Sequence, residues 1–244
     1  MRFRARFFQD GRFEDTEVDV SQEELVTVYL NSLKFISLFV LPRDLIELAV
    51  GFVVTEGIAE YDEIIGVSVD GNRINVALKS KQNIDLLTEL RSSGCSGVIQ
   101  PNPPPVNSKK TFNAGAIVKS LNSLDKNAVE WKRTGGTHTA CLMDDVGRCL
   151  KSFEDVGRHN ALDKVVGWAK TEKQTLDDKF VLFSGRLSSG IVSKAARARI
   201  PMVVSNTSAL SKAIEVAETL NITLVGFARQ NRLTVYAGSW RVLS

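Results

Sequence analysis

The amino-acid sequence predicts an α/β protein in which a smaller, β-rich N-terminal lobe precedes a larger domain with a mostly parallel sheet. Three features predict this: hairpin patterns in the first half, a Pro- and Gly-rich segment near the middle, and alternating strand and helix patterns in the last third. Strands that alternate with helices form parallel sheets with right-handed crossovers. A chain of 244 residues can bury one principal core and a smaller appended one. We therefore expect the lobe at residues 1–108 and the domain at residues 109–244.

The lobe is predicted to contain five strands and one helix. Residues 1–8 alternate arginine with apolar residues, which is typical of an exposed edge strand. Four β-prone runs predict two hairpins, formed by residues 24–30 with 34–40 and by residues 64–69 with 73–78. The second hairpin turns at Asp70-Gly71-Asn72, where glycine tolerates a positive φ. Between the hairpins, apolar residues recur at helical spacing from Leu45 to Val53, and Gly57 marks the end of this helix.

The middle of the chain is predicted to be a long loop, followed by a hairpin and a regular alternation. Residues 91–109 contain several glycines and the run Pro101-Asn102-Pro103-Pro104-Pro105, which disfavours both helix and strand. Apolar spacing predicts helices at residues 112–124 and 161–170, around a hairpin formed by residues 139–143 and 148–153. The last third predicts strand, helix, strand, helix and strand at residues 180–183, 188–199, 202–204, 209–220 and 223–226.

Composition and charge exclude several classes of protein. The chain is 43% hydrophobic and 24% charged, as globular proteins are, and no apolar run reaches the roughly 20 residues of a membrane span. A formal charge of +3 without long Lys/Arg runs does not indicate nucleic-acid binding. Three cysteines without framework spacing, and no signal-peptide pattern, argue against a secreted disulfide fold. We expect a cytoplasmic protein with no membrane span and no nucleic-acid partner.

Two loops in the last third are candidate anion-binding sites. Ser184-Gly185-Arg186-Leu187-Ser188-Ser189-Gly190 lies between a strand and a helix, where free N–H groups and the helix dipole favour an anion, and Arg186 adds a bidentate donor. The alternative is a plain turn with Ser188 or Ser189 as the helix N-cap. Phe227-Ala228-Arg229-Gln230-Asn231-Arg232 follows the last parallel strand, where open α/β sheets bind ligands. Its arginines and amides are suited to bind a nucleotide. From the sequence, a basic turn that only contacts solvent is an equally good interpretation.

Two further segments place a histidine at a turn. Glu154-Asp155-Val156-Gly157-Arg158-His159-Asn160 ends a strand and begins a helix, so Asp155 or Asn160 is expected to cap the helix and His159 to be exposed enough to titrate. Gly135-Gly136-Thr137-His138 forms a flexible turn before a strand. Two histidines without a nearby cysteine pair make a weak case for a metal site, and we expect no bound metal.

The three cysteines differ in their predicted surroundings. A thiol is a nucleophile when it is exposed and its thiolate is stabilised, and it is inert when it packs in an apolar core. Cys141 and Cys149 fall within apolar strand patterns and are expected in the core. Cys95 lies between Gly94 and Ser96 on the long loop, so it is the candidate nucleophile.

The motifs at residues 135–138, 154–161 and 184–190 resemble those of the formate dehydrogenase accessory sulfurtransferase (FdhD) family, and they follow one another in the same order. The resemblance extends from Glu23 to Tyr236 and so covers nearly the whole chain. It implies a cytidine deaminase-like fold for the larger domain, a sulfur carrier function and a homodimer.

The resemblance also implies a chemistry for individual residues. Cys95 is expected to accept persulfide sulfur from a cysteine desulfurase and to pass it to the molybdenum bis(molybdopterin guanine dinucleotide) cofactor of formate dehydrogenase. Phe227 to Arg232 match the loop that binds the guanine nucleotide end, so GDP-like nucleotides are expected to bind. The other expected cofactor contacts are Gly185, Arg186, Ser188 and Ser189, followed by His138, Arg158 and His159. Many relatives carry Cys-x-x-Cys where this chain keeps one cysteine, so a two-thiol relay within this loop is excluded.

Two other functions are alternatives to the sulfur carrier. A non-catalytic cofactor-binding chaperone would need the phosphate loops but no reactive Cys95. A zinc-dependent nucleobase deaminase would need His-x-Glu and Pro-Cys-x-x-Cys. His138-Thr139-Ala140 lacks the glutamate, and the chain contains no Cys-x-x-Cys, so the sequence disfavours deamination.

Overall fold

The computed structural model describes residues 1–79 and 103–244, together with the backbone of two short strands, β7 (Thr88–Glu89) and β8 (Gly97–Val98). Cys95 lies outside the described residues. The described chain is a mixed α/β fold with a four-stranded sheet near the N-terminus and a six-stranded sheet in the second half.

The N-terminal part consists of six strands and one α-helix. The strands are β1 (Arg2–Gln9), β2 (Arg12–Asp19), β3 (Glu24–Leu30), β4 (Leu33–Val40), β5 (Ile64–Asp70) and β6 (Arg73–Leu78). Helix α1 (Leu45–Thr55) and the 3-10 turn Tyr61–Glu63 lie between β4 and β5. The sheet has the order β4-β3-β6-β5, and the apolar side chains of α1 pack with its inner face. Both predicted hairpins, the helix and the N-terminal strand are confirmed.

The second half contains the remaining elements. Its strands are β9 (Phe112–Asn113), β10 (His138–Met143), β11 (Cys149–Asp155), β12 (Phe180–Phe183), β13 (Met202–Ser205), β14 (Thr223–Arg229), β15 (Arg232–Ala237) and β16 (Val242–Leu243). Its helices are α2 (Ala114–Ser120), α3 (Asn122–Asn127), α4 (Val129–Thr134), α5 (Arg158–Thr171), α6 (Ser189–Arg197) and α7 (Ser211–Thr219), and a 3-10 turn spans Ser239–Arg241.

The six-stranded sheet has the order β11-β10-β12-β13-β14-β15. The pairs β12–β13 and β13–β14 are parallel, as the strand and helix alternation predicts. The other three pairs are antiparallel, so the prediction of a mostly parallel sheet is wrong. The β10–β11 hairpin joins one side of the parallel core, and β15 folds back on the other side. Periodicity identifies strands but not which neighbour a hairpin strand joins.

Three local predictions are also wrong. Residues 112–124 are not one helix, because Phe112–Asn113 pairs with β16 and the helix is interrupted between α2 and α3. The N-cap of α5 is Gly157 rather than Asp155 or Asn160, and no side chain makes a capping hydrogen bond. The Asp155 carboxylate accepts from the Gly157 amide and from the Asn160 side chain. The predicted loop at 91–109 includes β8, which pairs with β7.

The two parts of the chain meet where α1 crosses α5. Two glycines allow this contact: a Cβ on Gly51 would lie 1.7 Å from the carbonyl oxygen of Asp163, and a Cβ on Gly167 would lie 1.9 Å from that of Glu47. Only glycine permits such an approach of two helix backbones. The larger sheet is thereby held against the N-terminal part through α5.

Two buried ionic clusters surround this helix crossing. The ammonium of Lys164 lies 2.7 Å from the Asp155 carboxylate, and both side chains are fully buried. The ammonium of Lys194 on α6 lies 2.8 Å from both the Glu56 and the Asp163 carboxylates. Burial raises the pKa of Asp163 to about 6, although Lys194 opposes this shift. Because Glu56 follows α1 while Asp163 and Lys194 lie on α5 and α6, this cluster connects three helices.

Candidate functional site

Loops that follow the parallel strands meet at one edge of the six-stranded sheet. The Ser205 hydroxyl at the end of β13 donates to the Gly185 carbonyl after β12 at 2.8 Å. The Phe227 amide in β14 donates to the Thr207 carbonyl at 2.8 Å. Carboxyl ends of parallel strands are where open α/β sheets bind ligands. The loop that contains Arg186 and the turn at residues 227–232 therefore border the same edge, as the sequence predicts.

A cleft of about 410 Å³ opens at this edge. We call it the carboxyl-edge cleft; it is lined by Trp131, Gly135, Gly136, Thr137, His138, Ser184, Asn206 and Thr207. Only His138 of these residues was a predicted cofactor contact. Asn206 directly follows β13, so the strand-end rule that predicted the turn at residues 227–232 applies to it as well. Trp131 carries no such signal, because it lies on α4 and does not follow the carboxyl end of a strand.

Three buried polar atoms on these loops lack hydrogen-bond partners among the residues that the structure describes. They are Nε of Arg158, Oγ of Ser188 and Oδ1 of Asn206. A buried polar atom without a partner costs about 1–3 kcal/mol, so such atoms are rarely retained without a function. Ser188 is the N-cap residue of α6, but its hydroxyl makes no capping hydrogen bond. The three atoms are therefore unsatisfied polar groups close to this edge, and a fourth, Nε of Arg241, lies away from it.

Two arginines and a buried carboxylate act on His138 in the carboxyl-edge cleft. Burial lowers the pKa of His138, the charges of Arg158 and Arg186 lower it further, and Asp155 opposes the shift. Within the described ranges, neither arginine forms an ion pair with a carboxylate. At neutral pH His138 is therefore uncharged, and the two arginines supply the positive charge that an anion requires.

The pH dependence of stability tests these effects on His138. The unfolded chain takes up a proton on His138 near pH 6.5, whereas the folded chain does so only at lower pH. The free energy of unfolding should therefore fall as the pH drops through and below that value. Urea unfolding at several pH values between about 7.5 and 5 should show a larger loss for the wild-type protein than for His138→Gln. Identical pH profiles for the two proteins would contradict the depressed pKa of His138.

Residues 227–232 form a tight hairpin turn rather than a loop after the strand. The structure extends β14 to Arg229, and Gln230 and Asn231 both adopt positive φ in the turn to β15. Phe227 also has a positive φ of 47°, which is strained for a bulky residue, and its ring is 39% exposed. The guanidinium of Arg229 lies 5.6 Å from this ring. The turn therefore presents an aromatic ring and two exposed arginines, Arg229 and Arg232, beside the cleft.

The remaining predicted contacts lie at the start of α5 and α6. His159 is half-buried, and a Cβ on Gly190 would lie 3.2 Å from its Nε2, so the imidazole packs against the first turn of α6. Ser189 begins α6, while the Arg186 side chain extends into solvent. These residues and Arg158 therefore surround the same helix N-terminus, which is a site that favours anions.

The two described cysteines are neighbours on β10 and β11. Cys141 is buried, as predicted, whereas Cys149 is only half-buried. A hydrogen bond with Cys149, together with burial, raises the pKa of the Cys141 thiol far above its usual range. Cys141 is therefore a protonated core residue and not a nucleophile.

The acidic residues of the segment 154–160 have structural functions that the sequence did not indicate. The Glu154 carboxylate accepts hydrogen bonds from the amides of Glu130 and Trp131 and from the Thr137 hydroxyl. Asp155 accepts hydrogen bonds from the amide of Leu41, the amide of Gly157 and the side chain of Asn160. Glu154 thus holds one wall of the cleft, and Asp155 joins the segment to the N-terminal part.

No group of three or more His, Cys, Asp or Glu side chains gathers in the described ranges as a metal site could. No described helix is long and apolar enough to span a membrane. The expectation that the protein binds no metal stays a prediction.

Comparisons with known proteins agree with the sequence motifs. A family model described as the FdhD/NarQ family matches residues 21–243. A protein from Listeria innocua named "Sulfur carrier protein FdhD" is 32% identical over 256 residues, which cover 99% of this chain and 98% of that protein. A protein of the same name from Wolinella succinogenes is 36% identical over 247 residues, covering 96% and 86%. A crystal structure described as a formate dehydrogenase accessory protein from Desulfotalea psychrophila matches with a TM-score of 0.83 and 26% identity, covering 100% and 99% of the two chains.

Proposed function

Because this chain belongs to the FdhD/NarQ family, we propose that it is a sulfur carrier required for formate dehydrogenase activity. The observation that carries the proposal is the full-length similarity to relatives named as sulfur carriers, such as the one from Listeria innocua. The chain also retains a cysteine, Cys95, between Gly94 and Ser96. A thiol flanked by small residues is accessible to large partners, which a carrier requires.

The proposed reaction begins with a cysteine desulfurase that carries a persulfide. The Cys95 thiolate attacks the outer sulfur of that persulfide, a new S–S bond forms on Cys95, and the bond in the donor breaks to release the donor cysteine as a thiolate. The outer sulfur then passes to the molybdenum bis(molybdopterin guanine dinucleotide) cofactor before its insertion into formate dehydrogenase. The cofactor receives this sulfur at the oxidation level of sulfide, so the transfer takes two electrons. An external thiol supplies them by forming a disulfide with the Cys95 sulfur as the outer sulfur leaves. The proposed setting is the cytoplasm, and the proposed assembly is a homodimer.

The carboxyl-edge cleft and the adjoining loops are the proposed binding site for the guanine nucleotide end of the cofactor. The cleft is lined by the polar residues His138, Ser184 and Asn206, which suits a polar ligand. Arg186, Arg229 and Arg232 are exposed at the same edge and provide charge for phosphates. GDP is therefore the proposed probe ligand.

Arginine substitutions in the turn at residues 227–232 test this proposed nucleotide-binding site. Arg229→Ala or Arg232→Ala should weaken GDP binding by roughly 1.5–3 kcal/mol, the usual value of a lost hydrogen bond to a charged group. Calorimetry measures the change, and thermal unfolding should show an intact fold, because both side chains are exposed. The matched control is Arg12→Ala, which removes an exposed arginine from the turn end of the β1–β2 ribbon, the end opposite to the one that contacts α4. If both turn variants bind GDP as the wild type does, the phosphates lie elsewhere and Arg186 is the next residue to replace.

A cytidine deaminase-like ancestry for the larger domain remains part of the proposal, without deaminase chemistry. The chain lacks the His-x-Glu and Cys-x-x-Cys sequences on which zinc-dependent deamination depends. A chaperone that only escorts the cofactor is the second candidate, because the anion-binding loops alone would be sufficient for it. A thiol-reactive reagent separates the two, since only the carrier requires a reactive Cys95.

A further inference from the structure

The β1–β2 ribbon has two unlike faces. In its antiparallel register Phe3 lies opposite Val18 and Ala5 lies opposite Thr16, so these side chains share one face with Phe7. The arginines of β1 alternate with them and lie opposite the carboxylates of β2 on the other face. Phe3, Phe7 and Val18 are 52%, 53% and 38% exposed. One face of the ribbon is therefore apolar, and the described residues leave it largely uncovered.

The ribbon is not a stable unit by itself. Its turn at Asp10 and Gly11 has φ values of 53° and 82°, which suits a tight hairpin. A hairpin of two strands is nevertheless marginally stable at best in water unless another element packs on it. The base of the ribbon is attached to α4, where Arg133 lies 2.7 Å from Asp19. We therefore expect a further surface to cover the apolar face.

The charges of the ribbon disfavour edge-to-edge pairing with a second copy. Neither edge of the ribbon pairs with another strand that the structure describes. A two-fold antiparallel pairing of β1 with its copy would set arginine opposite arginine, and the same pairing of β2 would set carboxylate opposite carboxylate. Because like charges placed opposite each other destabilise a sheet, the apolar face is the better surface for an interface.

A second uncovered apolar surface lies on the four-stranded sheet, on the face turned away from α1. Leu25 on β3 lies opposite Phe39 on β4, and the two side chains are 47% and 60% exposed. The next pair on this face is Thr27 with Ser37, whose hydroxyls are 2.9 Å apart. We call these four residues the sheet patch. The patch contains no charged residue, as is typical of the centre of a protein interface.

We propose that the apolar face of the ribbon packs on the sheet patch of a second copy of this chain, and that the two copies exchange this contact about a two-fold axis. Dimers with two-fold symmetry are the commonest closed assemblies, and a reciprocal exchange leaves neither apolar surface exposed. This inference rests on the homodimer of the proposed function and goes beyond it, because it identifies the two surfaces that meet.

The buried area favours this exchange over a contact between two ribbons. Strands of eight residues give a ribbon about 27 Å long and about 10 Å wide, so one face covers about 270 Å². Two ribbons packed face to face would bury about 540 Å² in total, which is less than the roughly 1,000 Å² of a specific interface. Two reciprocal contacts between ribbon and sheet bury about 1,100 Å².

Sedimentation equilibrium of the whole chain under reducing conditions tests the contact. The wild-type protein should sediment as a dimer of 26.8 kDa chains. Phe7→Lys and Phe39→Glu should each be monomeric at the same concentration, because each would bury a charge without a partner. Loss of a central interface side chain weakens binding about 30-fold or more, and the contact occurs twice, so the Kd should rise about 1,000-fold.

Two controls change exposed apolar residues outside the proposed contact. Phe13→Lys alters the charged face of the same ribbon, and Ile65→Glu alters β5, the strand at the far edge of the sheet from β4. Phe13 is 57% exposed and Ile65 is 65% exposed, so both substitutions match the test variants in burial. Both control variants should remain dimers, and thermal unfolding of all four variants should resemble that of the wild type.

A mixture of the two test variants gives a readout that misfolding would not produce. A mixed dimer contains one unaltered contact and one contact in which the two introduced charges have opposite signs. Equal amounts of Phe7→Lys and Phe39→Glu should therefore form a dimer, although neither variant does so alone.

The outcomes separate this inference from the function on which it rests. A wild-type protein that sediments as a monomer would overturn both the proposed homodimer and this inference, whereas sulfur transfer is measured independently. A dimeric Phe7→Lys or Phe39→Glu variant would overturn the inference and keep the homodimer. A mixture of the two variants that stays monomeric would overturn the reciprocal exchange.

Discussion

Replacement of Cys95 by alanine is expected to abolish the activation of formate dehydrogenase while the protein still folds. The proposal assigns the sulfur to Cys95 alone, since Cys141 is buried with a raised pKa. Cys149 is half-buried and its hydrogen bond with Cys141 lowers its pKa, so Cys149 is the competing acceptor that the experiment has to test. Loss of the Cys95 sulfur atom removes the persulfide and not merely a binding contact. The sequence around Cys95 predicts a loop, and substitutions on loop surfaces usually change stability by about 0.5 kcal/mol or less, so we expect thermal unfolding to resemble that of the wild type.

The measurement is formate dehydrogenase activity in cells that lack the endogenous carrier and express each variant. Cys149→Ser is the matched control, because it changes another cysteine that is partly accessible. It should restore client activity, whereas Cys95→Ala should give none above background. A Cys95→Ala protein that restores activity would show that another residue carries the sulfur or that only escort of the cofactor is needed.

Replacement of Lys164 by alanine is expected to destabilise the protein by about 3–5 kcal/mol, because it leaves the Asp155 carboxylate buried without its counter-charge. The Lys164 ammonium lies 2.7 Å from Asp155 and also donates to the Leu41 carbonyl at 3.1 Å and the Glu154 carbonyl at 3.3 Å. The substitution therefore removes one of the bonds to the N-terminal part, while those of Asp155 with Leu41 and of Asn160 with Phe39 remain possible. The urea concentration at the midpoint of unfolding should fall strongly. GDP binding should weaken only under conditions in which part of the protein is unfolded.

Two variants test whether the buried charge is the cause. Lys212→Ala removes a lysine whose ion pair with Glu215 is 71% and 63% exposed, so its effect should stay within about 0.5 kcal/mol. The double variant Asp155→Asn, Lys164→Met leaves no charge in the site and should recover much of the lost stability. A midpoint for Lys164→Ala that equals that of Lys212→Ala would contradict a structural function for the buried pair.

Much of the fold could be predicted from local patterns. Apolar periodicity located α1, α5, α6 and α7, and turn chemistry located the hairpins, for example where Asn31 and Ser32 adopt positive φ. The direction of the sheet could not be predicted, because the antiparallel pairing of β10 with β12 depends on a contact distant in sequence. The helix crossing at Gly51 and Gly167 was also missed, because a glycine within a helical pattern does not reveal which backbone approaches it.

The candidate site was predicted only in its loops. The anion-binding property of helix N-termini identified the Arg186 loop, and the rule that ligands bind at strand carboxyl ends identified the Arg229 turn. The second rule applies equally to Asn206. Trp131 and Glu154 could not be assigned from sequence, because their functions depend on the hydrogen bond that joins α4 to the end of β11. Asp155 and Asn160 were assigned to helix capping because the pattern at the start of α5 is local, whereas their actual bonds reach Leu41 and Phe39 in the N-terminal part.

The central claim is that Cys95 carries sulfur, and mass spectrometry of the intact protein tests it most directly. The protein is incubated with a cysteine desulfurase and cysteine, and its mass is measured before and after treatment with a reductant. The account predicts a gain of one sulfur atom that maps to Cys95, is lost on reduction and is absent from Cys95→Ala. A wild-type protein that gains no sulfur, or that gains it on Cys141 or Cys149, would contradict the account.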